Sequence, residues 1–323
     1  MAYRRRVGGA VVAALAVAGL AGVVGQPAGA APTGTGAAST GATEKHGSTP
    51  GWSELRHQFD YQRQPIRVAE HGVTRQGGAL VHDISYSAPG QDPVSAYLVT
   101  PVRHGTFAGA IFLHWLSEEP NANRTQYLDE AVALAGGGRG LVSLLPQLEF
   151  PFAFGPVGDK RDKDSVVKQV VQLRRGLDLL QARHDVDDSR VAVVGHDYGA
   201  MFGSLMAAVD RDRVRAEVLT AADATFGNWF SVFFLGLEGD ADTAYRALLA
   251  PLDPIVYVAH APAGGILFQY ATDDFFIPND VAAQVVAAAS GPKTVRSYDT
   301  DHALEVPAAR ADRDAFLIRT LHL

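Results

Sequence analysis

The 323-residue chain contains no cysteine. That excludes disulfides, a thiol nucleophile and any Cys-ligated metal. Its eleven His residues are scattered without the spacing of a ligand set, so neither a catalytic metal nor another cofactor is expected. Positive charge is scarce: 28 Lys and Arg stand against 35 Asp and Glu, a formal net charge of −7. An acidic surface argues against nucleic acid and anionic membranes as partners and leaves a small-molecule substrate as the expected one. No internal repeat is visible. What remains, 47% hydrophobic and 20% charged, is the composition of one large α/β domain; it leaves the oligomeric state open.

The N-terminus stands apart from that domain. Arg4-Arg5-Arg6 precedes an apolar run from Val7 to about Gly25, followed by Ala28-Gly29-Ala30. A basic start, an apolar middle and an A-x-A end predict a secretory signal peptide over residues 1–30, by the general or the twin-arginine route, the alternative being a membrane anchor. Cleavage would leave a secreted protein without stable membrane association. It would also remove three Arg and no acid, taking the charge from −7 to −10. Residues 31–51 are rich in Gly, Ala, Ser and Thr and predict a flexible leader. The folded domain is then expected over residues 52–323.

Ile66-Arg67-Val68, Ala79–Tyr86 and Val94–Val99, separated by Gly77-Gly78 and Ala88-Pro89-Gly90, read as an antiparallel meander at a sheet edge. Continuous apolar runs then take over at Ala110–Leu113, Leu141–Leu145 and Val191–Val194, as expected of strands buried on both faces. Arg215–Ala221, Ile266–Tyr270 and Thr294–Tyr298 continue the series. Helical spacing appears at Tyr127–Ala135, Lys160–Ala182, Ala200–Ala208, Val281–Ala289 and Ala308–Leu321. This alternation predicts a mostly parallel central sheet with helices on both faces. Trp229–Leu249, rich in Phe, reads either as a packing excursion or as a short lid; it is too short for a full cap domain.

The chemistry centres on Gly195-His196-Asp197-Tyr198-Gly199. A buried strand leads in and a helix of small residues leads out, with glycines two before and two after the central residue. That pattern predicts a nucleophile elbow, a strained turn that lifts one side chain above the sheet. The usual serine is missing, and Asp197 stands there. An elbow calls for an acid and then a histidine later in the chain. Asp274, at a strand end and four residues before Pro278, fits the acid better than Asp273, although helix-entry capping suits either. His302 follows the last strand.

These residues resemble the α/β-hydrolase superfamily over roughly residues 65–320. The aspartate elbow is similar to that of the epoxide hydrolases and the haloalkane and haloacetate dehalogenases. Leu252-Asp253-Pro254-Ile255 and Asp274–Pro278 look more like the capless dienelactone-hydrolase and peptidase-like esterase group. The resemblance implies an Asp197–His302–Asp274 triad and an oxyanion site made by the backbone N–H groups of Tyr198 and Trp115. His-Trp stands at 114–115 where the family commonly has His-Gly. His114 is expected to brace its loop, His196 to pack beneath the elbow, and Glu118 and Glu119 to be solvated charge.

A carboxylate has ordinarily lost its proton at neutral pH. Asp197 is therefore expected to attack an sp³ carbon of an epoxide or organohalide and form an ester. Water activated by His302 would hydrolyse it. Two carboxylates beside one imidazole should raise the pKa of His302. Epoxide opening needs a proton donor, for which Tyr198, Tyr245, Tyr257 and Tyr270 are candidates; halide departure needs donors such as Trp115 or Trp229. The alternatives are a carboxylesterase or lactonase with Asp197 in an altered role, and a non-catalytic binding protein.

Overall fold

Strands β1 (Val68–Gln76), β2 (Ala79–Tyr86) and β3 (Val94–Pro101) form the expected antiparallel edge. They belong to a computed structural model that describes residues 51–116 and 120–323. The expected signal peptide, nearly all of the leader, and Glu118 and Glu119 lie outside the described residues. In β2, Ala79 and Val81 are buried in one apolar cluster and Ile84 and Tyr86 in the other, so the strand has an apolar pattern to read. Almost every residue of β1 is exposed. This strand begins where the sequence reading ended it, at Val68, and runs on to the Gly77-Gly78 turn. Its backbone ladder to β2, from Val68 opposite Tyr86 to Gln76 opposite Ala79, holds it, and such pairing leaves no apolar pattern to read.

Six further strands complete the sheet: β4 (Phe107–Leu113), β5 (Leu141–Pro146), β6 (Val186–His196), β7 (Ala216–Thr220), β8 (Ile266–Ala271) and β9 (Lys293–Tyr298). The spatial order is β1-β2-β3-β5-β4-β6-β7-β8-β9, and the pairings from β5 to β9 are parallel. Both faces are covered. Along β4 and β6, Leu113 and Val193 turn to one apolar cluster, where α3 (Lys160–Gln181) contributes Val166, Val170, Leu173 and Leu177. Their neighbours Phe112 and Val194 turn to the other, with Ala131 and Leu134 of α2 (Leu128–Gly136) and Leu317 and Leu321 of α9 (Pro307–Leu321). This is why these strands are continuously apolar. Truncating one such Leu to Ala costs ~2–5 kcal/mol.

The first helix among the described residues is α1 (Trp52–His57), whose Trp52 stacks on His260 at 3.6 Å. Between β7 and β8 the chain forms α5 (Phe226–Trp229), a π-helical turn (Phe230–Leu235), α6 (Gly239–Leu249) and α7 (Pro254–Tyr257). Helix α4 (Tyr198–Val209) follows β6, and α8 (Asn279–Ala288) lies between β8 and β9. The C-terminal ends of β4, β6 and β8 and the loop after β9 carry the residues taken up next.

Candidate active site

Strand β6 ends at His196 and α4 starts at Tyr198, which leaves Asp197 alone at the turn with φ 55° and ψ −122°. This conformation is strained for a residue with a side chain. The backbone holds it there: Asp197 N–H donates to the Thr220 carbonyl at 2.9 Å, and its own carbonyl accepts from Met201 N–H at 3.0 Å. Both elbow glycines are sterically required. A Cβ on Gly195 would come within 2.3 Å of the Gly199 carbonyl oxygen, and one on Gly199 within 2.2 Å of the Leu113 carbonyl oxygen.

The structure brings the three expected side chains together. His302 Nδ1 donates to the Asp274 carboxylate at 2.9–3.0 Å. Asp274 Oδ1 also accepts from the N–H groups of Phe276 and Ile277. The turn-capping and histidine-orienting readings of Asp274 are thus both satisfied by one carboxylate, while Asp273 is exposed. The far nitrogen, His302 Nε2, faces Asp197 Oδ1 at 3.9 Å. Both atoms are buried without a protein hydrogen-bond partner, and the two residues are 7% and 2% exposed.

The other oxygen of Asp197 is held. Oδ2 accepts from Leu116 N–H at 3.2 Å, and the Tyr198 N–H also favours the charged carboxylate. Here the structure corrects the expectation for Trp115. Its N–H is taken by Gln126 Oε1 at 2.8 Å, so the donor from this loop is the next residue, Leu116. The Trp115 ring stacks on His196, with centroids 5.1 Å apart.

Gln126 is a member of the site that the sequence did not reveal. Besides holding Trp115, its Nε2 donates to His196 Nδ1 at 2.7 Å, and His196 Nε2 donates to the His302 carbonyl at 2.9 Å. His196 therefore braces the elbow and the His302 loop together. Burial and the neighbouring His302 charge push its pKa well down, which keeps it the neutral acceptor this chain requires. His114 braces its loop as expected: Nδ1 donates to the Trp115 carbonyl and Nε2 accepts from Leu148 N–H, both at 2.9 Å. Burial lowers its pKa to about 4.

Burial also changes the elbow carboxylate. It raises the pKa of Asp197 to about 7, against the opposing pull of His302 and the two N–H groups. The carboxylate is therefore not fully ionised at neutral pH, as its ordinary value of 3.8 would make it. For His302, burial opposes the charge, but the hydrogen bond it donates to Asp274 and the charges of Asp197 and Asp274 outweigh it, and the pKa rises. This is the direction expected from two flanking acids.

Three of the four candidate phenols are committed elsewhere. Tyr245 donates to Asp162, Tyr257 to the Pro251 carbonyl and Tyr270 to the Ala222 carbonyl. The Tyr198 hydroxyl is buried without a partner, and burial, then Asp197 and Asp223, hold its proton on. Its ring lies against Trp229 at 5.0 Å, Phe230 at 5.9 Å and Phe152 at 6.0 Å. Trp229 continues to His302 at 5.7 Å and Phe276 at 5.4 Å. Its Nε1 lacks a partner within hydrogen-bond limits, although it leans toward the Asp223 carboxylate. The start of the 229–249 excursion is thus the aromatic wall of the site.

No family model matches the chain, and none of the curated proteins compared with it matches. Solved structures do. An acetyl xylan esterase from a Thermoanaerobacterium species superposes with a TM-score of 0.64 at 14% identity, over 84% of this chain and 92% of its own. An acetyl xylan esterase from a Paenibacillus species gives 0.62 at 16% identity, over 83% and 92%. An S-formylglutathione hydrolase from Agrobacterium tumefaciens gives 0.57 at 14% identity, over 78% and 99%. The fold is that of the α/β-hydrolases.

Proposed function

We propose that the chain is a hydrolase that opens a small epoxide or organohalide through a covalent ester on Asp197. The observation that carries this reading is the division of labour within one carboxylate. Oδ2 accepts from Leu116 N–H and the Tyr198 N–H also favours the charged carboxylate, while Oδ1 is unpaired and faces His302 Nε2. Oδ1 attacks the electrophilic carbon, and the carbon–oxygen or carbon–halogen bond breaks. Oδ2 then becomes the ester carbonyl, already beside the donors that would stabilise a negative charge on it. His302 takes a proton from water as it attacks the Asp197 carboxyl carbon, the bond from that carbon to Oδ1 breaks, and the alcohol leaves with Oδ1 and the proton that His302 returns, while Asp274 fixes the ring and supports its charge. Alkylation also removes the Asp197 charge that helped raise the pKa of His302. The base is thereby released for the second step. Of the four candidate tyrosines, Tyr198 is the one whose hydroxyl is not donated to a protein acceptor, and it is assigned to protonate an epoxide oxygen.

The second reading is an esterase or lactonase in which Asp197 is a general base for water. The neighbours described as esterases favour it. Against it stands Asp197 Oδ2, which occupies the donors that an acyl carbonyl oxygen would need. Intact-protein mass spectrometry of His302→Gln separates the two. Under the first reading, exposure to epoxides, haloalkanes or haloacids adds a mass that maps to Asp197. No adduct from any of them, with wild type turning over activated acyl esters, would establish the second reading instead.

A further inference from the structure

On the far side of the aromatic wall lies a cavity of about 390 Å³ that the triad does not use. Its floor is made of Phe150, Gln169 and Gln172, all buried. Gln169 Oε1 accepts from the N–H groups of Glu149 and Phe150 at 2.8 and 3.1 Å, and its Nε2 donates to Gln172 Oε1 at 2.9 Å. Gln172 Nε2 donates in turn to Glu149 Oε2 at 3.0 Å. The ring of bonds locks the side chains, yet each amide nitrogen has a second N–H. Glu149 likewise keeps an oxygen that this ring does not use. Lys168 lines the same cavity, and Phe154, 53% exposed, forms an open apolar face beside it.

We infer that this cavity binds a neutral, polyhydroxylated ring such as a pyranose. Donors and acceptors are fixed side by side, and the lining carries three carboxylates, Glu149, Asp162 and Asp164, against two cations, Arg161 and Lys168, a near balance that suits a ligand without net charge. An apolar face stands next to this polar end, as a ring with a C–H face and a hydroxyl rim requires. The volume lies within the range of small-molecule sites, and locked side chains spare the ligand the cost of ordering them. The site is separate from the catalytic gap. Phe150 is the shared partition, packed edge-on against Phe230 at 5.2 Å, with Phe230 stacked on Tyr198. The inference does not depend on how Asp197 works.

Ligand-observed NMR with methyl β-xylopyranoside and methyl β-glucopyranoside tests it, on the full chain carrying Asp197→Asn so that nothing is turned over. The expected result is saturable binding of at least one glycoside, weakened about tenfold by Phe154→Ala and by Lys168→Ala. Neither side chain is buried, so thermal melts of both variants should match the parent. Absence of saturable binding by both glycosides would overturn the inference. So would binding that both variants leave unchanged, or displacement of the glycoside by glycine, which would mark the cavity as a zwitterion site.

Discussion

Two buried polar clusters meet at Thr220, and they treat their atoms in opposite ways. In the cluster between α2, β8 and α9, Arg313 forms a bidentate pair with Glu130 and also donates to Gln269 Oε1. Gln269 spends both of its N–H groups, on Tyr298 and the Ala309 carbonyl, and accepts a second bond from the Thr220 hydroxyl. In the elbow cluster, the Thr220 carbonyl holds Asp197 N–H, but Asp197 Oδ1, His302 Nε2 and the Tyr198 hydroxyl are left without partners. Each unsatisfied buried group costs ~1–3 kcal/mol. One cluster is built to hold the fold, the other to be completed by something it binds.

Asp197→Asn should sharpen this contrast most. It removes the carboxylate proposed as the nucleophile, and turnover should fall by ~10⁴-fold or more. Stability should move the other way. The folded pKa, about 7, lies above the ordinary 3.8, so the fold favours the protonated form. The stability present below the unfolded value is lost progressively as pH rises toward about 7. The amide escapes that loss, and chemical denaturation at neutral pH should show a more stable protein. Arg313→Met should do the reverse: stability falls by ~3–5 kcal/mol because Glu130 is left as an uncompensated buried charge, while the folded fraction keeps its turnover. If the two variants destabilise alike, the division between the clusters fails.

The pH dependence offers a smaller effect. Asp197 should give a single-turnover adduct rate that climbs about tenfold per pH unit below about 7 and flattens above it. A flat profile across that range would mean that Asp197 is paired in solution after all. The hydrolysis step needs neutral His302, whose pKa is raised in the free protein; a profile for that step with no basic group titrating would remove His302 as the base.

How much of this was legible in the sequence follows the same division. The elbow is a local pattern of letters, so Gly195, Asp197 and Gly199 announce it, although only Gly195 is dictated by a neighbour in the chain, Gly199, and Gly199 by the distant Leu113 carbonyl. Asp274 and His302 are distant in the chain but are called for by chain order once the elbow is recognised. Strands β4, β5, β7 and β8 were readable because both of their faces are buried, and β1 was not, because its side chains are exposed. Gln126 left no signal, since a lone amide in a loop looks like any other. Leu116 acts through its backbone, which side-chain identity does not mark, and its N–H replaced that of Trp115 because Gln126 claims the latter. The raised pKa of Asp197 depends on tertiary burial and cannot be seen in the letters Gly-His-Asp-Tyr-Gly.

Glu217 puts the contrast to its finest test. It lies in β7, 1% exposed, with Oε2 unpaired, and burial alone drives its pKa well above the carboxylate range. If an unpaired buried acid were sufficient to mark a site, Glu217 would mark one. It lacks what surrounds Asp197: the facing imidazole and backbone N–H groups held to its carboxylate. Replacing it with the similarly shaped Met should therefore leave turnover unchanged and raise stability by ~1–3 kcal/mol at about pH 8. Its folded pKa is raised, so the wild-type penalty develops as pH climbs above the unfolded value and vanishes below it. The gain from Glu217→Met should accordingly shrink toward about pH 4. A gain independent of pH would mean that packing rather than charge is at issue. A loss of turnover would mean that function extends into the sheet beyond the elbow.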